Sequence, residues 1–274
     1  MTLERKETAY LFPRYSHPQV PHRYGMNVHV LEHPGAFLAL ANLCSPAINA
    51  TELVLHMRLL YRELAWVVAG EELPRHALDR PTRMLHTEDG EGRSCGVGLD
   101  RQARVVTVSV ARAGLVPSQA VYDLLNLLLL PRQVRQEHLF MSRVLNEAGE
   151  VVGSELHESK CSPDMDNCTV LIPDPMGATG GSMCRAVAHI KSLEGVPANI
   201  IALHLMVTPE YLKRVKKEHP DLRVYTFRVD RGLSCAEVLN STLGTYENER
   251  GLTDNQYIFP GAGGIGELMN NSFV

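Results

Sequence analysis

Nine consecutive residues, Asp174, Pro175, Met176, Gly177, Ala178, Thr179, Gly180, Gly181 and Ser182, bring together a carboxylate, two hydroxyls and an adjacent pair of glycines. That set suits a phosphorylated sugar. Gly180 and Gly181 let backbone N–H groups approach an anion with no Cβ in the way, while Thr179 and Ser182 add hydroxyl donors. A helix opening at Ser182 turns its unpaired N–H groups and positive dipole end toward the same anion. Asp174 follows a strand expected over Cys168 to Ile172, where its carboxylate accepts hydrogen bonds from ribose hydroxyls. The loop has neither the glycine spacing of a dinucleotide site nor the lysine of a P-loop. The bland alternative is that a glycine turn and an N-capping serine merely join a strand to a helix.

To position such a loop, a sheet must bring several strand ends together. Apolar, β-branched runs recur at 103–111, His138–Met141, Cys168–Ile172, Ile200–Val207 and Leu222–Phe227. Helical segments separate most of them, at Ser118–Leu129, Ser182–Leu193 and Thr208–His219. The alternation predicts an α/β fold with a mostly parallel sheet flanked by helices, and a ligand outside the carboxyl ends of its strands. Upstream, Leu53, Met57, Leu60, Leu64 and Val67 predict an amphipathic helix with Thr51 as N-cap and Gly70 as its stop. Residues 71–103 are expected to hold a short hairpin or loop. Residues 1–25, with Pro13, Pro18 and Pro21, read as an arm on the body or on a neighbouring subunit. One domain is expected over 26–274, with a polar insertion at 233–253.

A formal charge of −4 gives no basic face for a nucleic acid. Six cysteines without a CxxC pair, and a charged N-terminus, point to a reducing cytoplasm. The apolar run from Leu124 to Leu130 is far short of the roughly 20 residues that cross a membrane, so none is expected to be spanned. His29 and His33 form an HxxxH in a stretch read as strand, where four residues separate side chains by about 13 Å, too far to share an ion. No metal ligand is expected among the side chains.

DPMGATGGS closely resembles the loop that binds 5-phosphoribosyl 1-diphosphate (PRPP) in the uracil phosphoribosyltransferase family. The resemblance extends, in order, through NVHVLEHPGAF, ARAGL, FMSR and YIFPGAGGIGE, covering roughly residues 26–274 apart from the insertion. It implies the type I phosphoribosyltransferase fold with a small hood after FMSR. By resemblance, Arg112 and Arg143 contact the pyrophosphate of PRPP, Asp174 and residues 175–182 hold its ribose phosphate, and Ile258, Gly263, Gly264 and Ile265 lie at the base. Asp174, Arg112 and Arg143 are the implied catalytic residues. The implied reaction makes UMP and pyrophosphate from uracil and PRPP, with Mg²⁺ held mainly by PRPP and the enzyme a homo-oligomer. Gly264 replaces a family aspartate, Gly177 replaces a usual leucine, and Glu267 stands where the family is also acidic. A different base, or a weakly active PRPP-binding regulator, stays open as an alternative. Lys160 reads as solvated, and Tyr257 and Phe259 as core.

Overall fold

The computed structural model describes residues 9–11, 15–86, 92–145 and 151–270; the side chains of 143–145 and 151–154 fall outside that description. In chain order the strands are β1 (Val28–Val30), β2 (Arg75–Pro81), β3 (Arg93–Leu99), β4 (Val105–Ala111), β5 (Val134–Leu145), β6 (Val151–Lys160), β7 (Thr169–Pro173), β8 (Met176–Gly177), β9 (Asn199–Val207) and β10 (Arg223–Val229). The α-helices are α1 (Pro34–Leu43), α2 (Ala50–Glu72), α3 (Leu115–Leu128), α4 (Gly181–Ser192), α5 (Pro209–Glu218), α6 (Ala236–Leu239) and α7 (Ile265–Asn270).

An eight-stranded sheet runs β1-β10-β9-β7-β4-β5-β6, with β8 beside β9. Its pairings are parallel except for the β5–β6 hairpin. This is the fold class expected. Successive residues of the central strands face opposite cores, as a two-residue period requires. Val105, Leu171, Leu203 and Tyr225 pack with α1, α2 and α3, whereas Val106, Ile172, Ala202 and Val224 pack with α4 and α5. Both faces are therefore covered, which is why the strands read as unbroken apolar runs.

Several local expectations shift. The N-cap of α2 is Asn49, in a capping box with Glu52, because Asn49 keeps extended backbone while Thr51 is already helical. Gly70 does not end α2, which continues to Glu72. Its missing side chain serves a close approach instead: a Cβ there would lie 2.7 Å from the Tyr15 ring. His33 is not in a strand. It caps α1, its Nδ1 accepting from the Ala36 N–H at 3.0 Å, while His29 stacks on Tyr225. The two imidazoles are therefore not four residues apart along one strand. Residues 71–103 do contain a hairpin, β2–β3, a separate antiparallel pair with mostly exposed residues.

The segment before β1 lies on the body: Val20 N–H donates to Val30 O, Arg23 N–H to Leu243 O, and the Tyr24 hydroxyl to Glu249 at 2.6 Å. Residues 1–8 and 12–14 of the expected arm lie outside the described residues. The 233–253 stretch carries α6 and is tied inward by Glu249, which is 3% exposed and accepts from the nearly buried Arg231 at 2.6 Å.

Candidate active site

From β4 the chain winds outward to β5 and β6, then crosses back to build β7, β9 and β10 on the other side. The winding thus reverses between β4 and β7, and the crevice beyond their carboxyl ends is the natural ligand position. Arg112 follows β4 directly, exposed, after a cis peptide with Ala111, and Asp174 follows β7 directly, half-buried. Gly114 draws the two strand ends together, since a Cβ there would lie 2.9 Å from Pro173 O. The sequence readings at Arg112 and Asp174 thus meet at one rim, although 62 residues separate them in the chain.

The backbone of Asp174 is fixed from β9. Its N–H donates to Leu203 O at 3.0 Å, and its carbonyl accepts from His204 Nδ1 at 2.6 Å. A carbonyl only accepts, so Nδ1 carries the proton and Nε2 is left to accept from the Tyr211 hydroxyl, also at 2.6 Å. His204 is fully buried, and burial pushes its pKa down to about 4, opposed by the Asp174 carbonyl bond. Unfolded, it would titrate near 6.5. Its stabilising effect is therefore fully present above pH 6.5 and is lost as pH falls toward 4, a span of about 3 kcal/mol. Urea unfolding across that range should show the loss, and His204→Leu should flatten that part of the profile.

The loop after Asp174 hangs on Thr208. The Thr208 hydroxyl donates to Ala178 O at 2.6 Å and its N–H to Gly177 O at 3.0 Å. The same hydroxyl caps α5 by accepting from Tyr211 N–H. Helix α4 begins at Gly181, one residue before the expected Ser182, because Gly180 is the N-cap in the left-handed region at φ +79. Gly180 offers no capping side chain, which leaves the first turn of α4 without a side-chain cap from that residue. The Thr179 hydroxyl turns back toward Gly181 N–H at 3.5 Å. Arg214 of α5 lies against this turn, its Nη1 being 3.2 Å from where a Gly181 Cβ would sit, and pairs with Glu218 at 2.8 Å.

A third piece comes from the far end of the chain. Arg228, at the end of β10, pairs with the buried Asp230, and Asp230 accepts from Gly261 N–H at 2.9 Å. The 261–266 turn is thereby pinned over the strand ends, and a Cβ built on Gly266 would lie 3.5 Å from that of Ala113, next to Arg112. Ile258 and Ile265 are buried in the core, whereas Gly263 lies in open surroundings. Tyr257 and Phe259 correct the core reading, being 43% and 46% exposed. Both flank Ile258, which takes the inward position of this extended stretch. Arg143 pairs through its backbone with Ser154 in the β5–β6 hairpin, three residues past Phe140, the partner of Ala111; its side chain is outside the described residues. Lys160 lies on β6, exposed and paired with Glu158.

The uracil phosphoribosyltransferase family model matches residues 30–271. The chain belongs to the uracil phosphoribosyltransferase family. Among its relatives, the uracil phosphoribosyltransferase of Dictyoglomus turgidum is 28% identical over 209 residues, covering 76% of this chain and 86% of that protein. The uracil phosphoribosyltransferase of Acidovorax sp. (strain JS42) is 28% identical over 245 residues, covering 89% and 97%. The solved structure of the AQ2163 protein from Aquifex aeolicus shares the fold at a TM-score of 0.66 and 22% identity, covering 88% of this chain and 97% of that one. Family membership makes this chain a phosphoribosyltransferase, a pentosyltransferase by class.

Within that family, Gly177 departs from the leucine noted above, and the structure supplies the reason. A Cβ at Gly177 would meet Val207 Cγ1 at 2.8 Å and the Tyr211 ring at 3.0 Å. Val207 and Tyr211 occupy the space that a side chain at 177 would need. Gly177→Leu should therefore destabilise the protein by about 1–3 kcal/mol in denaturant titration. The double variant Gly177→Leu/Tyr211→Ala should recover part of that loss, and additive losses would separate the two positions.

Thr208, His204, Tyr211, Arg214, Arg228 and Asp230 were missed from sequence. The signal at Thr208-Pro209 was visible as a helix start, but nothing local tied it to a loop 30 residues earlier.

Proposed function

We propose that this chain transfers the 5-phosphoribosyl group of PRPP to uracil, giving UMP and pyrophosphate. In that reaction the bond from ribose C1 to the pyrophosphate oxygen breaks, a bond from C1 to a ring nitrogen of uracil forms, and the nitrogen's proton is released. The observation that carries the reading is the meeting of Arg112, Asp174 and the 177–182 loop at the reversal point of the sheet. Arg112 stabilises the charge developing on pyrophosphate, with Arg143 as its expected partner from the hairpin. The Gly180–Gly181 turn and the start of α4, with Arg214 alongside, grip the 5-phosphate. Asp174 orients the ribose hydroxyls and favours positive charge on the ring as C1 opens.

Mg²⁺ bound to PRPP would neutralise the pyrophosphate. Among the described residues the side chains that cluster as ligands are Cys184, Glu218 and His219, between α4 and the end of α5. A thiol-bearing set is a poor match for a hard cation, so PRPP oxygens, beside the half-buried Asp174, fit it better. No helix among the described residues is long and apolar enough to cross a membrane.

The test is calorimetric titration with PRPP and Mg²⁺, followed by uracil with a pyrophosphate-release assay. PRPP binding with uracil-dependent release is expected. Binding with release by another base alone would reject uracil, and no PRPP binding would reject the site.

A further inference from the structure

Gly264 stands where the family resemblance places an aspartate, and another side chain fills the space. A Cβ built on Gly264 would fall inside the Glu267 carboxylate, 3.0 Å from its carboxyl carbon. Glu267 lies in the first turn of α7, half-buried, and its N–H donates to Gly264 O at 3.1 Å, so the turn folds its side chain back over residue 264. In this rotamer the Glu267 carboxylate takes the place that a side chain at 264 would need. The neighbouring Gly263 has φ +65 and nothing within 4 Å of its Cβ position, so this part of the turn borders open space. On the other side, Gly266 faces Ala113, beside Arg112, with room for no more than a methyl group in ordinary contact. A carboxylate is thus held at the rim, between open space and the arginine turn.

We propose that the Glu267 carboxylate, folded back over Gly264, is the acidic group of the base subsite in this chain. It accepts a hydrogen bond from an N–H of the base and selects bases that present one. The inference rests on the base-transfer reading above. A carboxylate can only accept, so a base edge without an N–H leaves it partly buried and unpaired, which disfavours that base. Glycine at 264 and glutamate at 267 are then one paired feature of the turn, the carboxylate being supplied from three residues along the chain.

The test is equilibrium binding of UMP and, separately, of ribose 5-phosphate to the full chain and three variants. Glu267→Ala should weaken UMP by about tenfold or more, the scale of a charged hydrogen bond, and leave ribose 5-phosphate unchanged. Gly264→Asp should also weaken UMP, because its side chain collides with Glu267. The double variant Gly264→Asp/Glu267→Ala should restore UMP to within about threefold of the parent, since the carboxylate returns from the other position. A role for Glu267 in packing alone predicts no such rescue. Unchanged UMP affinity in Glu267→Ala, or a double variant no better than the singles, would overturn the proposal. A parent protein that binds ribose 5-phosphate but not UMP would overturn the base-transfer reading itself, and this inference with it, before any variant is made.

Discussion

Asp174→Asn should lower the rate of pyrophosphate release by about 10²-fold or more while leaving thermal unfolding unchanged. The two halves of that expectation have separate causes. Stability is spared because the bonds that fix residue 174 are made by its backbone, through Leu203 O and His204 Nδ1, and asparagine keeps both. The side chain is half-buried at the rim, and asparagine keeps its size and its acceptor oxygen. Turnover falls because an amide lacks the negative charge that opposes the positive charge developing on the ribose ring. The effect should appear in kcat more than in PRPP affinity, since the extra interaction is made as the bond to pyrophosphate breaks. Steady-state kinetics with a parallel PRPP titration would separate the two. A variant as active as the parent would remove Asp174 from the mechanism.

Glu249→Ala should cost about 3 kcal/mol of stability. Glu249 is a buried hub: its carboxylate accepts from Arg231 and the Gly244 N–H through one oxygen and from the Tyr24 hydroxyl through the other. Arg231 is only 8% exposed, so losing Glu249 leaves a guanidinium without its counter-charge, with the carbonyls of Leu239 and Ser241 and the Ser241 hydroxyl as uncharged acceptors. Replacing both partners by apolar residues of similar size, Arg231→Met with Glu249→Leu, should cost far less than the single change. The loss should also be local. Tyr24 and Arg23 attach the segment before β1 to the 233–253 stretch, so hydrogen exchange should rise there before it rises in β7 or β9. A denaturant midpoint shift equivalent to less than about 1 kcal/mol would show the pair to be dispensable.

The two variants probe different layers of the same molecule. Asp174 acts at the crevice through its charge, while Glu249 acts behind it, holding in place the strand end from which Arg228 and Asp230 pin the 261–266 turn. Residue 231 directly follows Asp230, so disturbance of the buried pair reaches the turn with few intervening contacts. Turnover of Glu249→Ala at low temperature, where the variant stays folded, measures how far that support matters for chemistry.

Much of this was legible locally. The apolar runs marked the central strands β4, β5, β7, β9 and β10, and their alternation with helices pointed to a mostly parallel sheet, because a segment's period and its turn residues report on its own backbone. The glycines and hydroxyls of 177–182 announced an anion loop for the same reason: the needed N–H groups are neighbours in the chain. Misplaced ends, such as Thr51 for Asn49 or Ser182 for Gly181, reflect how little energy separates adjacent capping positions.

What periodicity could not supply was the company each residue keeps across the fold. Gly70 looked like a helix stop and proved to be the seat of Tyr15; Gly177 looked like a loss and proved to be matched by Tyr211, 34 residues on. Tyr24 and Glu249 meet across 225 residues, and the His204–Tyr211 pair supports Asp174 from a different strand. Such contacts are set by sheet order and packing, since side-chain volume and hydrogen-bond partners are exchanged between strands that are neighbours only after folding. The sequence by itself therefore determined the elements and the anion loop, while tertiary structure decided which carboxylate, guanidinium and glycine share a site.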